Sequence, residues 1–175
     1  MGTGKTAVGR LLAARLGLDF IDTDREIVEA TGLPIPEIFR RYGEKRFRAE
    51  ERLVVQKVSE RSRCVIATGG GVVLDPENME RLRRKGLIIL LEAEPAVIAR
   101  RVRHHSGRPL LKRGDDLIAR IESLLEARAP FYENHDFKID TSNLSLEQVV
   151  KAIISFLKKQ GWEFKGETYD GNPAG

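Results

Sequence analysis

Three short runs carry most of the chemistry in this chain: Met1-Gly2-Thr3-Gly4-Lys5-Thr6, Asp22-Thr23-Asp24 and Gly69-Gly70-Gly71. The first matches the last six positions of the phosphate-loop pattern G-x-x-x-x-G-K-[ST]. In such a loop, backbone N–H groups over Gly2–Lys5 point at phosphate oxygens from a helix start. Lys5 adds a cation for the outer phosphates, and the Thr6 hydroxyl is a ligand for Mg²⁺. An ordinary Gly/Thr lead-in to a helix is the alternative. The direct passage from Lys5-Thr6 into the apolar face Val8, Leu11, Leu12, Leu16 favours the phosphate loop. Asp22 and Asp24 alternate at a strand end, so their side chains can point the same way. One suits the Mg²⁺ sphere; the other suits accepting a proton from, or orienting, an attacking hydroxyl. An equally good reading makes Asp24 the cap of the following helix. Three consecutive glycines are costly in backbone entropy. That cost has a purpose where a ligand must approach the main chain closely.

Arginines supply the remaining candidates. Arg48 follows Phe47 and precedes Glu51 by three residues, so it could grip a carboxylate through its bidentate fork. By itself this spacing is better explained as a surface Arg–Glu pair. Arg108-Pro109-Leu110-Leu111 lies in a polar stretch, 105–115, punctuated by Gly107, Pro109 and Gly114. We read it as a mobile lid whose arginine closes on a transferring phosphoryl group. Arg128, in Arg128-Ala129-Pro130-Phe131-Tyr132, serves either as a second carboxylate clamp or as a charge at a helix C-terminus.

These residues need elements to position them, and the pattern alternates helices with short apolar strands. Helices are expected over 4–16, 23–30, a short turn to Arg41, 43–61, 75–85, 94–104, from after the lid to about Tyr132, and from Ser145 onward. Thr23 or Asp24 is the expected cap of the second. Strands are expected at 19–22, 64–68, 87–91 and 137–140. Alternation of this kind implies a parallel sheet covered on both faces, with ligands gathering at the C-terminal strand edge. Asp22, Asp24, Gly69–Gly71 and Thr141-Ser142 all fall at that edge.

The 175 residues fit one domain, and a 41% hydrophobic fraction supports a packed core. A net charge of +4 arises from 30 basic and 26 acidic side chains. That mixture suits a small anionic partner and carries no nucleic-acid recognition element. Cys64 is the only cysteine, so no intrachain disulfide is possible. It reads as a core thiol, and a reducing cytoplasm fits. No apolar run is long enough to span a membrane, and no His or Cys spacing suggests a structural metal.

Taken in order, M-G-T-G-K-T, D-T-D, F-R-x-x-E, A-T-G-G-G, R-P-L-L and R-x-P-x-Y resemble the shikimate kinase family over Met1 to about Lys158. The resemblance implies an α/β P-loop NTPase domain over 1–160 with three layers, a parallel sheet ordered 2-3-1-4-5, and a lid near 105–115. A flexible tail would follow over 161–175. It implies transfer of the ATP γ-phosphoryl group to the 3-hydroxyl of shikimate by a monomer, with one Mg²⁺. Gly2, Thr3, Gly4, Lys5 and Thr6 would hold the ATP phosphates, with Thr6 and Asp22 on Mg²⁺, Asp22 through water. Asp24 would bind the shikimate hydroxyls as candidate base. Arg48 and Arg128 would grip its carboxylate, and Phe47, Gly70 and Gly71 would lie against its ring. Arg108 would reach the phosphates, making Lys5, Asp24 and Arg108 the catalytic set. Arg101, Thr141 and Ser142 would border adenine. A gluconate-type or nucleoside monophosphate kinase, or a non-catalytic nucleotide-binding form, are the rival readings.

The chain opens inside its first motif, so strand 1 of that family sheet is missing. The remaining strands are expected as two pairs separated by about 9–10 Å. We expect Met1 to be an internal methionine of a longer G-x-M-G-T-G-K-T, which translation of the in-frame DNA upstream tests. A chain without that strand should be much less stable, and its turnover is an open question.

Overall fold

The computed structural model describes residues 2–103 and 117–164. The lid stretch around Arg108 lies outside the described residues, as does the end of the tail. The elements follow the alternating order: α1 (Lys5–Leu16), β1 (Asp19–Asp22), α2 (Thr23–Thr31), α3 (Ile35–Ser59), β2 (Cys64–Ala67), α4 (Pro76–Arg83), β3 (Ile89–Glu92), α5 (Pro95–Arg103), α6 (Leu117–Tyr132), β4 (Phe137–Asp140) and α7 (Leu146–Lys159). A single 3-10 turn, Val72–Leu74, follows the glycine run.

Most boundaries match the sequence, and three differ for local physical reasons. The cap of α2 is Asp22, where Thr23 or Asp24 was expected. Its Oδ1 accepts from the backbone N–H groups of Asp24 at 3.0 Å and Arg25 at 3.4 Å. The two helices expected around Gly43 run on as one hydrogen-bonded helix, with Gly43 at φ 77, ψ 177 inside it. Only glycine takes that conformation without strain, so the expected break survives as a kink. Strand β3 begins two residues late. Its partner β4 pairs Phe137 with Ile89, and Asp136 instead takes the Ile88 N–H on its carboxylate at 2.6 Å.

Among the described residues the strands make two separate parallel pairs, β1–β2 and β3–β4, in line with the expected two pairs. Asp19 stands opposite Cys64 in one, and Ile89 opposite Phe137 in the other. Between the pairs lies a gap. Leu12 and Leu16 of α1 with Ile153 and Leu157 of α7 line one side of it. Met79 and Leu82 of α4 with Leu125 of α6 line the other. The core is correspondingly divided. One cluster joins α1 and α7 to Leu91 and Ile139. A second packs Ile21 under Ile27, Ile38, Phe47 and Val54, and a third joins α5 to α6. Helix α7 starts on a full capping box: Ser145 Oγ accepts from the Gln148 N–H, and the Gln148 side chain accepts from the Ser145 N–H.

Candidate active site

One cavity of about 820 Å³ runs along the C-terminal edge of the strands. Its floor is the loop that starts α1. Gly4 caps that helix at φ 95, and Lys5 and Thr6 form the first turn, so the N–H groups of this turn open on the cavity. Gly2 is wedged against α5. A Cβ there would sit 2.8 Å from Val102 and 2.9 Å from Ile98. Thr3 is 5% exposed. Its carbonyl accepts from the Thr141 hydroxyl at 3.2 Å, which ties the loop to the end of β4.

Asp22 and Asp24 both line the cavity but do different work. Asp22 uses Oδ1 on the α2 cap and accepts from the Thr6 hydroxyl on Oδ2 at 2.8 Å. A hydroxyl and a carboxylate thus meet beside the phosphate loop. These are hard oxygen donors of the type that share a divalent cation with phosphate oxygens. Capping by Asp22 leaves Asp24 one step into the helix, where its carboxylate turns to the glycine run. Thr23 lies fully buried between them, and its hydroxyl accepts from the Gly69 N–H at 2.9 Å.

The glycine run takes its meaning from what presses on it. A Cβ at Gly69 would lie 2.6 Å from Asp24 Oδ1, and one at Gly71 only 2.1 Å from Arg48 Nη1. The Gly70 carbonyl accepts from Arg128 Nη1 at 2.9 Å. So the close approach expected of a ligand is made first by the side chains that would receive one. Arg48 and Arg128 start on different helices, and the sequence left each with a bland alternative. The fold brings both to the same three glycines.

Arg48 is held from its own helix. Glu44 accepts from its Nη2 at 2.9 Å and Glu51 from its Nη1 at 2.8 Å, while its guanidinium lies 5.3 Å from the Phe47 ring centroid. Burial alone would lower the Arg48 pKa, but Glu51 and Glu44 outweigh it and the net direction is up. Glu51 is the residue whose importance the sequence hid. It looked like half of a surface pair, yet it is 1% exposed, lines the cavity, and has an Oε1 without a hydrogen-bond partner. Burial pushes its carboxyl above the usual range; Arg48 opposes that shift and Asp24 adds to it. The i,i+3 spacing was the available signal, and only tertiary packing says which face of α3 it is on.

At the opposite end, Arg101 donates to the Thr141 hydroxyl at 2.9 Å and to the Thr141 carbonyl at 2.7 Å. Both residues line the cavity there. Ser142 lies one step behind, its hydroxyl donating to Asp140 at 2.6 Å and accepting from the Glu94 N–H at 2.8 Å. Leu144 and Leu146 also line this end, with 38% and 41% of their surface exposed. Neither was anticipated, because apolar residues around a cap read as helix packing.

The family model for shikimate kinase matches residues 1–158. The chain belongs to the shikimate kinase family. A shikimate kinase from Pelotomaculum thermopropionicum is 51% identical over 162 residues, covering 93% of this chain and 94% of that protein. One from Caldicellulosiruptor saccharolyticus is 49% identical over 155 residues, covering 89% and 90%. Among solved structures, shikimate kinase from Acinetobacter baumannii in complex with shikimate superposes with a TM-score of 0.87 at 33% identity, covering 93% of this chain and 91% of that one. Shikimate kinase from Aquifex aeolicus superposes at 0.78 with 35% identity, covering 92% and 94%. The α/β P-loop fold read from the shikimate kinase motifs is therefore the fold of this chain, an ATP-using kinase.

Proposed function

We propose that this chain transfers the γ-phosphoryl group of ATP to the 3-hydroxyl of shikimate, giving shikimate 3-phosphate and ADP. The observation that carries the reading is the convergence of Asp24, Arg48 and Arg128 on Gly69–Gly71, in a cavity whose floor is the phosphate loop. A carboxylate-bearing polyol fits that end. Arg48 and Arg128 pair its charge, Phe47 with Gly70 and Gly71 forms the wall beside its ring, and Asp24 hydrogen-bonds its hydroxyls. An uncharged polyol would leave two guanidinium groups unsatisfied, at about 1–3 kcal/mol each. Asp24 is also the group placed to take the proton of the attacking hydroxyl.

The phosphate end follows from the same frame. The backbone over Gly2–Lys5 and the Lys5 ammonium bind the ATP phosphates, and Arg101, Thr141 and Ser142 border the base. Arg108, outside the described residues, is assigned to the lid over the phosphates. Thr6 and Asp22 fit Mg²⁺, with Asp22 acting through water. When bound, the ion would neutralise charge on the phosphate oxygens. Positioning and charge neutralisation then supply most of the catalysis. We assign the reaction to a monomer in the cytoplasm. No helix among the described residues is long and apolar enough to cross a membrane.

An ADP-release assay across shikimate, gluconate and nucleoside monophosphates tests the assignment. Turnover with shikimate alone is expected. Turnover with another acceptor and none with shikimate would overturn it.

A further inference from the structure

One buried hydroxyl ties the phosphate loop to the rest of the site. Thr141 follows β4 and is 3% exposed. Its Oγ1 accepts from Arg101 Nη1 at 2.9 Å, and its carbonyl accepts from Arg101 Nη2 at 2.7 Å. Arg101 thus holds the residue at two points. It also occupies a lone pair of the hydroxyl, which turns the hydroxyl proton away from α5. Two carbonyl oxygens lie within reach of that proton, Glu92 at 2.9 Å and Thr3 at 3.2 Å. Glu92 already receives the Thr141 N–H at 2.9 Å, whereas among the described residues the Thr3 carbonyl has no other donor. A buried carbonyl left without a donor costs more than a second bond to a satisfied one gains, so the proton goes to Thr3. The consequence lies on the far side of the peptide. The Thr3 carbonyl and the Gly4 N–H share one trans peptide plane and point in opposite directions. With the carbonyl held on Thr141, the Gly4 N–H points the other way, and it has no acceptor among the described residues. Because residue 4 is glycine, at φ 95, the flipped orientation of this peptide is also sterically open. Something outside the loop has to choose between the two.

We propose that Thr141 is a positioning residue for phosphate binding: its hydroxyl, oriented by Arg101, keeps the Thr3 carbonyl out of the cavity and aims the Gly4 N–H at a phosphate oxygen. A flipped peptide would present a carbonyl oxygen to the anion and replace attraction with repulsion at the same place. The hydroxyl therefore acts on the phosphates without touching them. It also joins Arg101, at the base end of the cavity, to the loop at the other end. This role rests on the reading of Gly2–Lys5 as the phosphate site, and it gives Thr141 a task beyond bordering the base.

The experiment titrates the 175-residue chain with ADP, inorganic pyrophosphate and adenosine in a calorimeter. The parent is compared with Thr141→Val, which keeps the shape and removes the hydroxyl, and with Thr141→Ser, which keeps the hydroxyl. Thr141→Ala serves in place of the valine variant if that one does not fold. Loss of the hydroxyl is expected to weaken ADP and pyrophosphate about tenfold, the worth of one hydrogen bond to an anion. Adenosine should bind as it does to the parent, because the carbonyl of residue 141 still holds Arg101. Thr141→Ser should restore both anions. In isotope-labelled protein, pyrophosphate should move the Gly4 amide proton resonance downfield in the parent and the serine variant, and leave it nearly unmoved in the valine variant. Equal losses for adenosine and ADP would make Thr141 a base contact or a general prop of the fold, and overturn the proposal. So would an unchanged pyrophosphate affinity, or a Gly4 resonance that still moves fully without the hydroxyl. A parent chain that binds neither ADP nor pyrophosphate overturns the phosphate-loop reading itself, so the two failures are told apart.

Discussion

Glycines 69 and 71 are explained by two side chains, Asp24 and Arg48, that press against them. Gly71→Ala would push a methyl carbon into the Arg48 guanidinium without touching the α3 core. We expect the KM for shikimate to rise about tenfold or more, roughly the loss of one charge-assisted hydrogen bond, while the melting temperature stays near that of the parent. An unchanged KM would mean that Arg48 does not face the acid. Glu51 gives a prediction of a different kind. Burial raises its folded-state pKa above the reference value of 4.5. Its favourable term is therefore present below that pH, where both states are protonated, and is lost as pH rises through the raised value. Glu51→Gln lacks this loss. Its melting temperature relative to the parent should climb as pH goes from about 4 to 8, and a difference that stays flat with pH would contradict the burial argument.

At the scale of elements, helix stops and caps were legible because they depend on neighbours in sequence. Gly17 and Gly32 end α1 and α2, and Ser145 opens α7. Strand cores were legible for the same reason. The start of β3 was not, because Asp136, far along the chain, decides which residue enters the ladder. The kink in α3 offers a clean test. A Cβ at Gly43 would meet nothing within 4 Å, so only backbone conformation opposes a side chain there. Gly43→Ala should cost about 1–3 kcal/mol of unfolding free energy in a denaturant titration. A neutral result would mean that α3 straightens without penalty.

Over the whole molecule, the family and its reaction were legible from ordered motifs, since each motif sits at a strand end and the alternating pattern places strand ends together. Less accessible was which of two readings each arginine takes. Arg48 and Arg128 lie far apart along the chain, and their meeting at Gly70–Gly71 is a product of packing α3 and α6 against the same loop. Glu51 was read only as the surface partner of Arg48 and as the last residue of F-R-x-x-E; its burial in the cavity is a tertiary property. The two strand pairs seen among the described residues were expected only from the order 2-3-1-4-5 that the family resemblance implies.

The central claim is that two guanidinium groups select an acid as phosphoryl acceptor. It is tested most directly by comparing kcat/KM for shikimate with that for its uncharged methyl ester. The account predicts a preference for the acid of about tenfold to a hundredfold or more, from one or two unsatisfied charged donors. Equal efficiency with the ester would contradict it.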